Sequence, residues 1–479
     1  MMSKALFRLK PGGVDHVSAA HGAEARQIYF SLLQENPDEL VLARSRLFMA
    51  RQIEAAERCT SDLPDDMAEL EQWSTSHTAR VGAQYRQYLD KRKAGGPRQY
   101  FSSKAHALYF LKSIAPTKLV DGAWLYGLLE HWEEARFSAL IQIYLEELGE
   151  GDPRKNHVVL YKKLLATHEC DQWKNLGDAH FTQGAIQLAL AQHAEHLLPE
   201  VIGFNLGYEQ LPLHLLICAY ELNELGIDPY YFTLHITIDN AASGHAKKAL
   251  QGLFDAFPRV GDRGAFYRRV VNGYKLNALG ASSNAVIGEF DLYRELLDIL
   301  ASKCGVGAFL HSNYARIGGK SVNEWLADPD QLPVFLDRLQ QLGWIKRHQN
   351  PQASRFWQLI DGQSAQMSGV FTAYERQVIY DWIAGRSAIG QDSPHLSYKA
   401  RQRLLDTADA KPGFSDMGAS GTQSDDFNME IRAIEEKLAR FTCKRAAMAW
   451  LIHLMSPLHH HTAAGLMATR VFCRLRGSP

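Results

Sequence analysis

Residues 144–161 read YLEELGEGDPRKNHVVLY. A helix is expected to end near Leu148 and Gly149, because Gly149, Gly151 and Pro153 follow one another too closely for it to continue. Asp152 suits an N-cap and Pro153 a first helical position, so a second helix should open here. His157 would then lie about one turn into the new helix, with Glu146 or Glu147 on the last turn of the old one. A tight corner can bring such a carboxylate and imidazole together. Surface charge beside a helix-face histidine is the plainer alternative.

Outward from this corner the pattern stays helical. Segments such as QIYFSLL, LVLARSRLFMARQIEAAERC and AELEQWSTSHTARVGAQYRQYLDKRK space apolar residues at i, i+3 and i+4 amid charge. Ala94 to Pro97 form a breaker, and long helical segments resume from Tyr100 to about Ser302, punctuated at 148–153, 175–177, 203–207 and 225–229. The predicted fold is mainly α: a bundle over 96–302, a helical extension over 1–95, and a smaller accessory domain over 303–479. In that last part a short helix at 321–326, a second over 332–347, a polar turn and a strand RFWQLI at 355–360 read as a small α+β, winged-helix-like module. A DNA-binding version needs a basic recognition helix, which LPVFLDRLQQLGW does not supply. Residues 411–427, poor in core formers, read as a mobile loop.

Composition narrows the classes. The chain has 479 residues, 46% hydrophobic and 22% charged, and a net charge of −1. These are globular values, and they leave no global attraction to nucleic acid or to an anionic membrane. The longest apolar runs are about ten residues, against ~20 for a membrane span, and no secretory leader is visible, so a cytoplasmic protein is expected. The six cysteines have no C-x-x-C pairing and no disulfide framework. The 20 histidines are numerous, and histidine is the commonest metal ligand.

Residues 228–246, DPYYFTLHITIDNAASGHA, hold a second cluster. His235 and Asp239 are i and i+4 on one helical face. Their neighbours are apolar, so an unpaired Asp239 would be costly unless it found a cation. His245 follows six residues on, and Ser243-Gly244 before it would have to loosen the turn to bring it in. A satisfied core histidine with a hydrogen-bonded aspartate is the plainer alternative. Between the clusters, Glu209 heads the apolar run LPLHLLICAYEL, as a capping charge or an inward ligand. The His459-His460-His461 run reads as a solvated helix end, since consecutive residues point in different directions. The aromatic residues Trp124, Tyr126, Trp132, Tyr230 and Tyr231 are pocket candidates, with core packing the plainer role.

Taken together, these pieces resemble the haem-oxygenase-like diiron oxidases, the iron-containing redox enzymes. That resemblance covers about residues 100–260 and implies a haem-oxygenase-like helical bundle. It maps the metal ligands onto Glu147, His157, Glu209, His235 and Asp239. The family's last histidine would fall at Ala242, so His245, displaced by three residues, becomes the sixth candidate, and Asp121 an additional carboxylate. It further implies two Fe(II) ions, O2 as co-substrate and an external electron donor, because the chain has no nucleotide-binding fingerprint. The implied substrate is a small amine or amino-acid-derived molecule, oxidised by N-oxygenation or oxidative C–C cleavage, often in natural-product biosynthesis. No nucleic acid or membrane partner is expected, and a homodimer stays open. The competing readings are a haem-binding bundle, a metal-free binding or regulatory protein, and a thiol-dependent hydrolase using Cys170 or Cys218.

Overall fold

The computed structural model describes residues 24–238, 244–307, 316–362, 365–385 and 422–477. The first helices are α1 (Glu24–Leu32), α2 (Glu39–Glu57) and α3 (Leu70–Lys93). Asp38 caps α2 by accepting from Val41 N, and Lys91, Arg92 and Lys93 fill the last turn of α3, where the helix dipole favours cations. Next come α4 (Lys104–Lys118), α5 (Ser138–Glu147), α6 (His157–Thr167), α7 (Thr182–Gln192), α8 (Leu198–Tyr208) and α9 (Leu213–Glu224). α10 (Tyr230–Ile238), α11 (His245–Ala256) and α12 (Arg263–Lys275) complete the bundle. Beyond it lie α13 (Ser283–Glu289), α14 (Leu292–Gly307), α15 (Val322–Leu326), α16 (Leu332–Gln341), α17 (Arg355–Asp361) and α18 (Ala373–Ala384). The chain closes with α19 (Thr422–Leu438), α20 (Lys444–Leu454) and α21 (Ala463–Gly477).

The mainly helical expectation holds, and several local readings are corrected. RFWQLI is α17, not a strand: Trp357 and Ile360, three apart, bury together against the core on one helical face. Among the described residues the strands are one antiparallel pair, Arg316–Ile317 with Lys320–Ser321. Residues 203–207 run inside α8 rather than interrupting it. Residues 411–421 lie outside the described residues, whereas 422–427 belong to α19 instead of a loop.

Glycine in that stretch of α8 serves close packing and does not end the helix. The α8 and α12 backbones cross in contact: a Cβ on Gly203 would fall 1.8 Å from Val270 O, and one on Gly273 2.2 Å from Glu200 O. Gly203→Ala must therefore push the helices apart. A loss of about 1–3 kcal/mol or more is expected, to be read as a lowered urea midpoint.

Two apolar cores result. One joins α1, α2, α5, α7, α8, α11 and α12 with Met448, Leu451 and Met455 of the α20 region and Phe472 of α21. The other joins α4, α6, α9 and α10 with α13 to α18. Residues 444–477 thus reach back onto the bundle, where the Tyr144 hydroxyl donates to Met455 O at 2.6 Å. The polar site lies along the seam between these cores.

A candidate metal centre between two cores

The corner at 148–156 is held by backbone constraints. Gly149 and Gly151 adopt φ of +63° and +84°, a region that favours glycine. A Cβ on Gly149 would also lie 2.5 Å from Asn156 N, and one on Gly151 2.4 Å from Leu466 O. The helix after the corner starts later than Asp152 and Pro153 predict. Asn156 is its N-cap, accepting from Val159 N at 3.0 Å, and His157 is its first residue. Asp152 instead closes the turn, its carbonyl accepting from Lys155 N and Asn156 N.

Most of the candidate ligands fall at helix ends. Glu147 is the last residue of α5, Glu209 caps the C-terminus of α8, and His245 opens α11. Glu209 therefore closes one helix and does not head the next, since α9 begins at Leu213. Asp121 lies just past α4, and His235 sits on α10. Asp121, Glu147, His157, Glu209, His235 and His245 are all buried. Asp239, the remaining candidate, lies outside the described residues.

These six side chains form two groups. Asp121, Glu147, His157 and His235 offer ligand atoms within 4.8 Å of one another, and so do Glu147, Glu209 and His245. Glu147 belongs to both. His245 is brought in by a new helix starting at its own position, with Gly244 before it in extended backbone.

A cation fits the donors. Glu147 Oε2, Glu209 Oε1 and both ring nitrogens of His157 are buried without a hydrogen-bond partner. His157 Nδ1 lies against Glu147 Oε2, yet off hydrogen-bond alignment. His235 gives a sharper test. Its Nδ1 lies 2.8 Å from Tyr231 O, which can only accept, so Nδ1 carries the proton. Burial and the neighbouring His157 ring hold the His235 pKa below its ordinary value, so the ring is neutral. Its Nε2 lone pair then faces Asp121 Oδ2 at 3.2 Å, two acceptors opposed. A metal ion between them resolves this. Three carboxylates buried together demand the same compensation.

The surroundings orient these groups. Asp121 accepts from the Tyr208 hydroxyl at 2.6 Å and the Tyr231 hydroxyl at 2.7 Å. Burial alone would raise the Asp121 pKa, but its cationic surroundings, the Lys118 ammonium foremost, hold the carboxylate well below its ordinary value. On the other group, His245 Nδ1 faces Glu209 Oε2 at 3.1 Å and Glu147 Oε1 at 3.2 Å. Its Nε2 donates to Glu146 Oε2 at 2.9 Å. Glu146, itself paired with Lys248, is thus the outer carboxylate that fixes this imidazole, while Glu147 faces inward.

One residue beside the site was misread from sequence. His460 is buried rather than at a solvated helix end: its Nδ1 accepts from Asn156 Nδ2 at 3.2 Å. The same amide donates to Leu148 O at 3.2 Å, so His460 braces both sides of the corner carrying Glu147 and His157. His460→Ala is expected to weaken metal binding about 10–100-fold, as loss of an outer partner does. His460→Gln keeps an acceptor and should recover most of it in a chelator competition.

The thiol alternative loses its nucleophile. Burial pushes the Cys170 thiol up to about 12 and Cys218 well above the ordinary range, so neither supplies a thiolate at neutral pH. None of the six cysteines forms a disulfide. Among the described residues no helix is long and apolar enough to cross a membrane.

The seam of this helical bundle thus holds two buried carboxylate–imidazole groups that share one glutamate and could each hold a metal ion. Residues 108–275 match the family described as iron-containing redox enzymes. The matched span contains every candidate ligand named above. No curated protein and no solved structure matches the chain.

Proposed function

We propose that this chain is a non-haem diiron oxygenase that uses O2 to oxidise a small amine or amino-acid-derived substrate. The observation that carries the reading is Glu147, shared between two groups of buried donors. Oxygen and nitrogen donors from facing helices suit iron, and a shared carboxylate keeps two ions close enough to act on one O2 molecule. Asp121, Glu147, His157 and His235 would hold one ion, and Glu147, Glu209 and His245 the other. Bound iron would supply O2 activation.

The protein's own residues prepare the site. Tyr208 and Tyr231 fix the Asp121 carboxylate through their hydroxyls. Tyr231 O fixes the His235 tautomer, leaving Nε2 toward the ion. Glu146 does the equivalent for His245, leaving Nδ1. The apolar cores on either side limit water. Insertion of one oxygen atom with the other leaving as water takes two electrons from the substrate and two from an external donor.

Anaerobic Fe(II) titration followed by O2 exposure tests the proposal. About two irons per chain and a new absorption band on exposure are expected. A chain that holds no iron, or holds it and gives no spectral change with or without candidate substrates, would contradict it.

A further inference from the structure

A cavity of about 260 Å³ runs from Glu147, Glu209 and His235 to the exposed Ser282. Phe110, Ile114, Leu215 and Phe232 give it a largely apolar wall. Its charged lining is sparse. Among the described lining residues the carboxylates are Glu147 and Glu209, both in the metal groups, and the one fixed cation is Lys118. Of the two histidines on the wall, His235 belongs to the metal groups and His214 is neutral, because burial and Lys118 pull it down to about 4.

Lys118 stands at the inner end. Its Nζ donates to the Tyr208 hydroxyl at 2.8 Å and lies 3.7 Å from Asp121 Oδ1, too far for a hydrogen bond. An ammonium has three donors, so others remain for a ligand. Resting on the diiron reading, the charge of Asp121 is shared with iron, and Lys118 becomes the unspent charge of the cavity. A substrate ammonium would meet a like charge there, with no uncommitted carboxylate among the described lining residues to receive it.

We infer that the cavity takes a carboxylate-bearing substrate with an apolar body, its carboxylate bound by Lys118 Nζ beside the metal groups. An amino-acid-derived substrate would be recognised through its acid end. The same placement favours oxidation at atoms close to that carboxylate.

The test uses 3-phenylpropanoate, 3-phenylpropylamine and 3-phenylpropanol as matched probes. Each is titrated calorimetrically into Fe(II)-loaded chain under nitrogen, with iron counted in every sample. The acid should bind about tenfold or more tighter than the alcohol, and the amine weakest. Compared at equal iron content, Lys118→Met should cost the acid that tenfold and leave the alcohol unaffected, whereas Lys118→Arg should keep the preference. Equal or tighter binding of the amine by the unaltered chain overturns the inference whatever the variants do. So does a Lys118→Met chain that still prefers the acid. A wild-type chain holding no iron overturns the diiron reading and this inference together, and the iron count alone identifies that case.

Discussion

On the proposed diiron reading, Glu147→Ala is expected to hold neither iron tightly, whereas His235→Ala and Glu209→Ala should each empty chiefly one group. The asymmetry follows from Glu147 being the one residue common to both sets of donors. Its carboxylate lies against His157 through Oε2 and 3.2 Å from His245 Nδ1 through Oε1, so its two oxygens face different groups. Removing it deletes a donor from each group and the link between them. The loss in affinity should exceed the roughly 100-fold seen when only an outer partner is removed. Glu147→Gln keeps the volume and separates charge from packing: it should fold like the parent and still fail to hold two irons. Iron content after gel filtration, with a thermal melt of the metal-free forms, reads both effects. Retention of both irons in Glu147→Gln would remove the shared-ligand argument.

Much of this arrangement is legible in the chain because it is local. Gly149, Gly151 and Pro153 announce the corner, and Glu147 and His157 flank it at a distance a corner can close. The residues that needed the fold are those whose partners are remote in sequence. Asp121 pairs with Tyr208 and Tyr231, 87 and 110 residues away, and its sequence signal is only a lone acid in the apolar run KLVDGAWL. His460 meets Asn156 across 304 residues. Three consecutive histidines give no sign of which one turns inward; that is set by Gly465, whose missing side chain lets its helix lie against His459 O and His460 Cα. RFWQLI misled for a related reason. Its aromatic and branched residues favour a strand in isolation, while the core across the fold accepts Trp357 and Ile360 together, which only a helix provides. Lys118 lies in the last turn of α4, and nothing in its sequence neighbourhood signals the cavity it lines.

Metal affinity should also fall about tenfold for each unit the pH drops between 8 and 6, through one proton at His245. In the metal-free chain burial alone would lower the His245 pKa, but Glu209, Glu146 and Glu147 surround the ring and hold it well above the ordinary value. To bind an ion its Nδ1 must give up that proton, while Asp121 and Glu147, both held low, have none to release. Burial raises Glu209, which adds to the slope toward acid. The sign for folding is opposite in the two states. Without metal, the stabilisation from charged His245 is full below its unfolded value near 6.5 and declines as pH climbs toward the folded one. With metal, the bound ion favours the deprotonated ring, so stability gains as pH rises. Calorimetric Zn(II) or Fe(II) titrations in buffers of different ionisation enthalpy count the proton directly, and melts of the two forms across this range show the crossing slopes. His245→Gln should flatten the metal-free slope and remove the released proton; a proton count unchanged in that variant would place the linkage on another group.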